Sequence, residues 1–210
     1  MVPKENAWSI VINGHWNRMI FTPNWIGKKI FDSDTIERLV SMMPTAPVVY
    51  RKDDLRIAIG EERLVITLLK LNKTCMEDAE AKAFKILTLL SHTPVSAIGV
   101  NFGFTEESPS RPLLDLFAYR DNADIGTQEW DISQNKLTRC LKDGDDKLLN
   151  LTLSFDGTKV HFDANFHQAV NSAEEGAAVV NECTSVMYER FTKLLQEVYG
   201  LSWQEETNNG

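Results

Sequence analysis

Apolar and polar residues alternate with a period of two in several stretches, and two of these read as hairpins. In residues 147–168, Leu149, Leu151, Leu153 and Phe155 share one face of a first strand, and Val160, Phe162, Ala164 and Phe166 share one face of a second. Asp156-Gly157 between them is a two-residue type I′ turn signal. That turn pairs Leu153 with Val160 and Leu151 with Phe162, so both apolar rows fall on one side. The polar side carries Asn150, Thr152 and Ser154, then His161, Asp163, Asn165 and His167. The second hairpin joins residues 55–60 to 63–69 across Glu61-Glu62, with Ile59 facing Leu64, Ile57 facing Ile66 and Leu55 facing Leu68. Further strands are predicted over 7–13, from residue 47, over 95–104 and in the later part of 131–142. In 95–104 one face is Ile98, Val100, Phe102 and Phe104, while the other alternates small residues with Asn101, which allows close packing.

Helical spacing appears elsewhere. Residues 34–43 predict a short helix, with Asp34 and Glu37 at capping-box spacing, a stripe of Ile36, Leu39, Val40 and Met43, and Pro44 as a stop. Residues 74–91 predict a longer one, with Thr74 and Glu77 as its capping box and Ala79, Ala83, Ile86, Leu87 and Leu90 on its buried side. A short helix is predicted over 112–119. The last is predicted within 172–199, opened by Ser172 and Glu175, with Gly176 as a break or delay and Gly200 as C-cap. Residues 14–29 hold Trp16, Phe21 and Trp25 around Pro23 and read as an irregular loop.

These elements predict an α+β fold, an antiparallel or mixed sheet covered by helices. The order strand, short helix, three strands, longer helix occurs twice, which suggests a pseudo-twofold repeat of β-α-β-β-β-α halves over 7–91 and 95–199. Coincidence among common elements is the competing explanation. The short join between the halves predicts one compact domain over 7–199, followed by a flexible tail over 204–210.

Composition narrows the function classes. The 210 residues carry a formal net charge of −8, which opposes nonspecific binding to nucleic acid but leaves room for a local basic patch. Cys75, Cys140 and Cys183 are sparse and odd in number, which suits a reducing cytoplasm rather than a disulfide framework. No apolar run reaches the length of a membrane span, and the first residues lack the apolar core of a secretion signal.

Candidate chemistry is diffuse. His161, Asp163 and His167 fall on one face of a predicted strand and are of metal-ligating type. The two histidines lie roughly 20 Å apart in an extended strand, too far to share one ion, so neither metal nor cofactor is expected. His15 and His92 lack a patterned nucleophile. The most distinctive island is basic and aromatic: Trp16, Arg18, Phe21, Trp25, Lys28 and Lys29. Tryptophan and arginine combine large contact area with directional donors, so this segment is expected to be a recognition surface. Its aromatics capping the core is the plainer alternative. The leading expectation is a nonenzymatic protein-binding or assembly protein that forms a homodimer. An enzyme with a site near His161 or His15 is the first rival. A nucleic-acid module using Arg18, Lys28, Lys29, Arg51 and Lys52 is the second, disfavoured by the acidic balance.

Overall fold

The computed structural model describes residues 1–39, 41, 43, 46–128, 130–142, 147–181 and 183–203. Its ten strands are β1 (Val2–Pro3), β2 (Ser9–Gly14), β3 (Glu37–Leu39), β4 (Val48–Lys52), β5 (Leu55–Ile59), β6 (Arg63–Leu68), β7 (Val95–Glu106), β8 (Asn135–Lys142), β9 (Lys147–Phe155) and β10 (Val160–Ala169). The helices are α1 (Pro23–Lys29), α2 (Lys73–Leu89), α3 (Arg111–Leu114), α4 (Asn122–Gly126), α5 (Ala173–Val180) and α6 (Cys183–Tyr199), with a tight turn of helix at Asp115–Phe117. The fold is α+β. Every strand pair is antiparallel, in the order β3-β4-β5-β6-β2-β7-β10-β9-β8, and β1 pairs with β7 beyond the end of β2. The predicted tail over 204–210 lies outside the described residues.

The hairpin of β5 and β6 has the register expected from its alternation, with Leu55 opposite Leu68, Ile57 opposite Ile66 and Ile59 opposite Leu64. The β9–β10 hairpin differs by two residues: Phe162 faces Leu153, and Val160 faces Phe155. The turn sits one residue later than the sequence suggests, because the Asp156 carboxylate accepts hydrogen bonds from the backbone N–H groups of Thr158 and Lys159. Gly157 takes φ +94°, which suits glycine there. A shift of two preserves side-chain parity, so the apolar row still meets the core.

The helix predicted over 34–43 is corrected. Residues 37–39 form edge strand β3, with Arg38 opposite Tyr50 and Leu39 opposite Val49. Local capping signals lose here to sheet pairing, and the proposed stripe is split: Ile36 packs against the core, while Leu39 is 49% and Met43 68% exposed. Val40 and Pro44 lie outside the described residues. Residues 14–29 are not wholly irregular, since Thr22 caps α1 by accepting from Trp25 N–H and Pro23 opens it. Helix α2 is capped by Asn72, two residues ahead of the predicted Thr74. Ser172 caps α5 as expected. Gly176 does not break that helix. A Cβ there would lie 3.3 Å from the Ile98 side chain, so glycine lets α5 press against β7. Helix α5 instead ends at Asn181, whose backbone is extended.

The core lies between one face of the sheet and the helices. Phe102 and Phe104 of β7 meet Phe191 of α6, Phe162 meets Tyr199, and Ala79, Ala83, Ile86 and Leu87 of α2 are buried in the same cluster. Alternation sends the remaining strand residues to the other face, where Val11, Val65, Asn101, Asn165 and Asn150 keep partial exposure. Among the described residues, no helix is long and apolar enough to cross a membrane.

Candidate functional site

The segment 14–29 folds over the helix-side face at the β4 end of the sheet. Trp16 is 4% exposed, and its indole N–H donates to the Ile12 carbonyl at 3.2 Å. Phe21 is also buried, with its ring 5.9 Å from Trp16 and 5.3 Å from the half-buried Trp25. The Tyr50 hydroxyl donates to the Phe21 carbonyl, which ties the segment to β4. Burial raises the Tyr50 pKa, and the nearby Arg38 charge opposes that rise.

Arg18 is 22% exposed. One terminal nitrogen donates to the Ala46 carbonyl at 2.6 Å, and the other lies 3.9 Å from the Glu61 carboxylate. Its Nε is buried without a hydrogen-bond partner among the described residues. Arg18, Arg38, Trp16, Phe21 and Tyr50 line a cavity of about 690 Å³. Met19 stands at its wall and is 84% exposed. Trp25, Lys28 and Lys29 are elsewhere: Lys28 lies 3.7 Å from Asp34, and both lysines occupy the last turn of α1, where the helix dipole favours cations. The six residues singled out in sequence therefore divide, with Trp16, Arg18 and Phe21 brought together at the cavity. Sequence reasoning missed Arg38 and Tyr50, because only the β3–β4 pairing carries them there.

His161, Asp163 and His167 share the opposite face of the sheet, on β10, but engage different neighbours. Asp163 accepts from Lys4 at 2.6 Å. His161 contacts the Thr105 hydroxyl through Nδ1 at 3.0 Å and the Asp156 carboxylate through Nε2 at 3.2 Å. This hydroxyl–imidazole–carboxylate chain can relay a proton. Thr105 is nevertheless buried and paired on both sides, with His161 and with Val2, so its surroundings leave little room for an acyl group. Among the described residues, no group of three side chains could hold a metal ion. Burial pushes the Cys75 thiol up to about 11 and the Cys183 thiol up to about 12, which keeps both protonated at neutral pH.

The Asp156 carboxyl is held far below the ordinary range by the backbone N–H groups of Lys159 and Thr158, then by the Thr158 hydroxyl and His161. A carboxylate with a depressed folded-state pKa contributes stability above its ordinary value and loses it as pH falls towards the folded value. Asp156→Ala is therefore expected to lower the urea midpoint most at neutral pH. Its gap from the parent should close as pH drops below about 4, the ordinary carboxylate range. A gap that stays constant with pH would count against this role for the charge.

No family model matches the chain, and no curated protein is significantly similar to it.

Proposed function

We propose that this chain is a nonenzymatic protein-binding or assembly protein, with its recognition site at the cavity beside β3 and β4. The observation that carries the reading is the presence of Arg18 and Arg38 around an aromatic floor of Trp16, Phe21 and Tyr50. The exposed Arg38 guanidinium beside an apolar floor suits a carboxylate with an apolar neighbour, while Arg18 is engaged by the Ala46 carbonyl and Glu61. Met19 supplies an adaptable thioether for that neighbour. The favoured ligand is a short acidic segment of a partner chain containing a leucine or similar residue.

The test uses fluorescein-labelled octapeptides with two carboxylates flanking a leucine, read by anisotropy. Arg38→Glu is the informative variant, because Arg38 is exposed and lies on an edge strand. It should weaken binding about tenfold or more, the scale of a lost charge-assisted hydrogen bond, while leaving the melting temperature unchanged. Equal affinity of parent and variant would remove the proposal. Trp16→Ala is a poor probe, since it disrupts packing as well.

The enzyme reading ranks second and rests on the Thr105–His161–Asp156 chain. Labelling of Thr105 by a fluorophosphonate, lost in His161→Ala, would bring it forward; an unlabelled parent would set it aside.

The quaternary and internal organisation proposed here has separate supports. A homodimer is favoured by the outer edges of β3 and β8, which end the sheet without a further strand partner among the described residues. Light scattering should give about twice 23.8 kDa, and the monomer mass across the working concentration range would reject it. A pseudo-twofold relation is supported by strand order, since β4-β5-β6-β2 and β8-β9-β10-β7 run inwards from opposite sides to meet at β2 and β7. Failure of residues 7–91 to superpose on 95–199 would dismiss it. One compact domain is supported by a single buried cluster drawing on both halves, and a stable fragment cut near Thr93 would oppose it. A cytoplasmic location is supported by three free cysteines; cell fractionation tests it.

A further inference from the structure

The helices pack on one face of the sheet, and the other face has its own chemical order. Four residues in mutual register form a ladder of side-chain hydrogen bonds across β9, β10, β7 and β2. Asn150 donates to Asn165 at 3.3 Å, Asn165 to Asn101 at 2.7 Å, and Asn101 to the Ser9 hydroxyl at 3.0 Å. All three amides point the same way, so their dipoles reinforce. Each asparagine retains one N–H and acceptor capacity beyond the ladder. These groups lie on a half-exposed surface where a partner can reach them.

Cations flank this neutral strip. Arg51, Arg56 and Arg63 lie on β4, β5 and β6, and Lys136 and Lys142 lie on β8, all facing the same way as the ladder. Arg51 and Arg56 are direct cross-strand neighbours, an arrangement of like charges that destabilises a sheet. The three arginines have no ion-pair or hydrogen-bond partner among the described residues. Glu37 faces Arg51 across β3, while Asp163 is neutralised by Lys4. Among the described residues, this face of a chain of net charge −8 thus presents five unpaired cations against the carboxylates of Glu37 and Asp156. The two cationic margins are five to seven strand spacings apart, roughly 24–34 Å.

We propose that the open sheet face is a docking surface for duplex DNA, independent of the cavity on the helix side. A duplex laid across the strands brings phosphates from one helical turn, about 34 Å long, to both margins, and the asparagine strip donates to backbone oxygens between them. Among the described residues, Phe, Tyr and Trp are missing from the strand positions that point to this face. That disfavours a protein interface, whose energy concentrates in aromatic anchors, and single strands, which bind by stacking on rings.

The test is anisotropy of a labelled 20-base-pair DNA duplex with the full chain at several salt concentrations. Its single strand, an RNA duplex of the same sequence, heparin and polyglutamate serve as competitors. The DNA duplex should bind best, with log affinity falling against log salt at a slope of about −2.7 to −4.5, as three to five phosphate contacts require. The triple variants R51Q/R56Q/R63Q and R51E/R56E/R63E should weaken binding by at least about tenfold and a hundredfold respectively, with melting temperatures at or above the parent's. Asn165→Thr should weaken it severalfold without changing the salt slope, whereas Lys193→Glu on the helix side should stay within about twofold of the parent. The proposal is overturned by undetectable duplex binding at low salt or by full affinity in the glutamine variant. Equal or tighter binding of the single strand, RNA, heparin or polyglutamate overturns it too, the last by indicating an acidic protein instead.

Discussion

Trp8→Ala should be the most damaging of the single substitutions considered, costing about 4 kcal/mol or on the order of 10 °C in melting temperature. Trp8 is 1% exposed and precedes β2 at the middle of the sheet. Its ring lies 5.0 Å from Phe102, 5.3 Å from Phe104, 5.4 Å from Tyr188 and 5.7 Å from Trp203. Its indole N–H donates to the Gly103 carbonyl at 3.0 Å. Alanine removes the central member of an aromatic cluster that joins β7, α6 and the segment after α6. It also deprives a buried carbonyl of a donor. Trp8→Phe should cost less, about 1–2 kcal/mol, because a ring remains and chiefly the hydrogen bond is lost. Far-ultraviolet circular dichroism in guanidinium gives both values without relying on tryptophan emission. A Trp8→Ala midpoint equal to the parent's would mean that the cluster closes over the gap.

Glu80→Ala should have the next largest effect, about 3 kcal/mol. Glu80 is a buried carboxylate of α2, and one oxygen accepts from the backbone N–H groups of Thr184 and Ser185 in the first turn of α6. A helix start leaves its first N–H groups without intrahelical partners and carries partial positive charge, so an anion there satisfies both needs. This cap comes from another helix, and its loss weakens the α2–α6 contact as well as the helix end. Alanine leaves two donors without their acceptor in a mostly buried place. Glu80→Gln keeps an acceptor oxygen but loses the charge, and its melting temperature should fall between those of parent and alanine. If glutamine and alanine melt together below the parent, the charge alone matters; if alanine melts with the parent, the cap contributes nothing.

Period-two alternation made the sheet largely legible, and local turn chemistry decided where registers were right. The β5–β6 register follows from Glu61-Glu62 alone. The β9–β10 register moved by two because Asp156 uses its side chain, rather than its position beside Gly157, to set the turn. Asp34 and Glu37 resemble a helix start, but strand pairing with β4 has the stronger claim on those backbone groups. The capped start at Thr22 and Pro23 was readable and was obscured by the surrounding aromatics. At the site, sequence proximity placed Trp16, Arg18 and Phe21 together. Arg38 and Tyr50 reach the same cavity only through long-range pairing, which alternation cannot specify. The amide ladder escaped notice for the same reason: its four members come from four strands, and only their register aligns them.

The seam between β2 and β7 also bears on how the chain can be made. Ser9 and Asn101 touch across it although 92 positions separate them. Until β7 has been synthesised, β2 can pair only with β6 and forms the bare margin of a partial sheet. That margin is rich in isoleucine and valine, the type of unpaired strand that recruits other chains. The nascent polypeptide therefore carries its most association-prone border for the time taken to translate the intervening residues, and the arrival of β7 is what converts that border into the centre of the molecule.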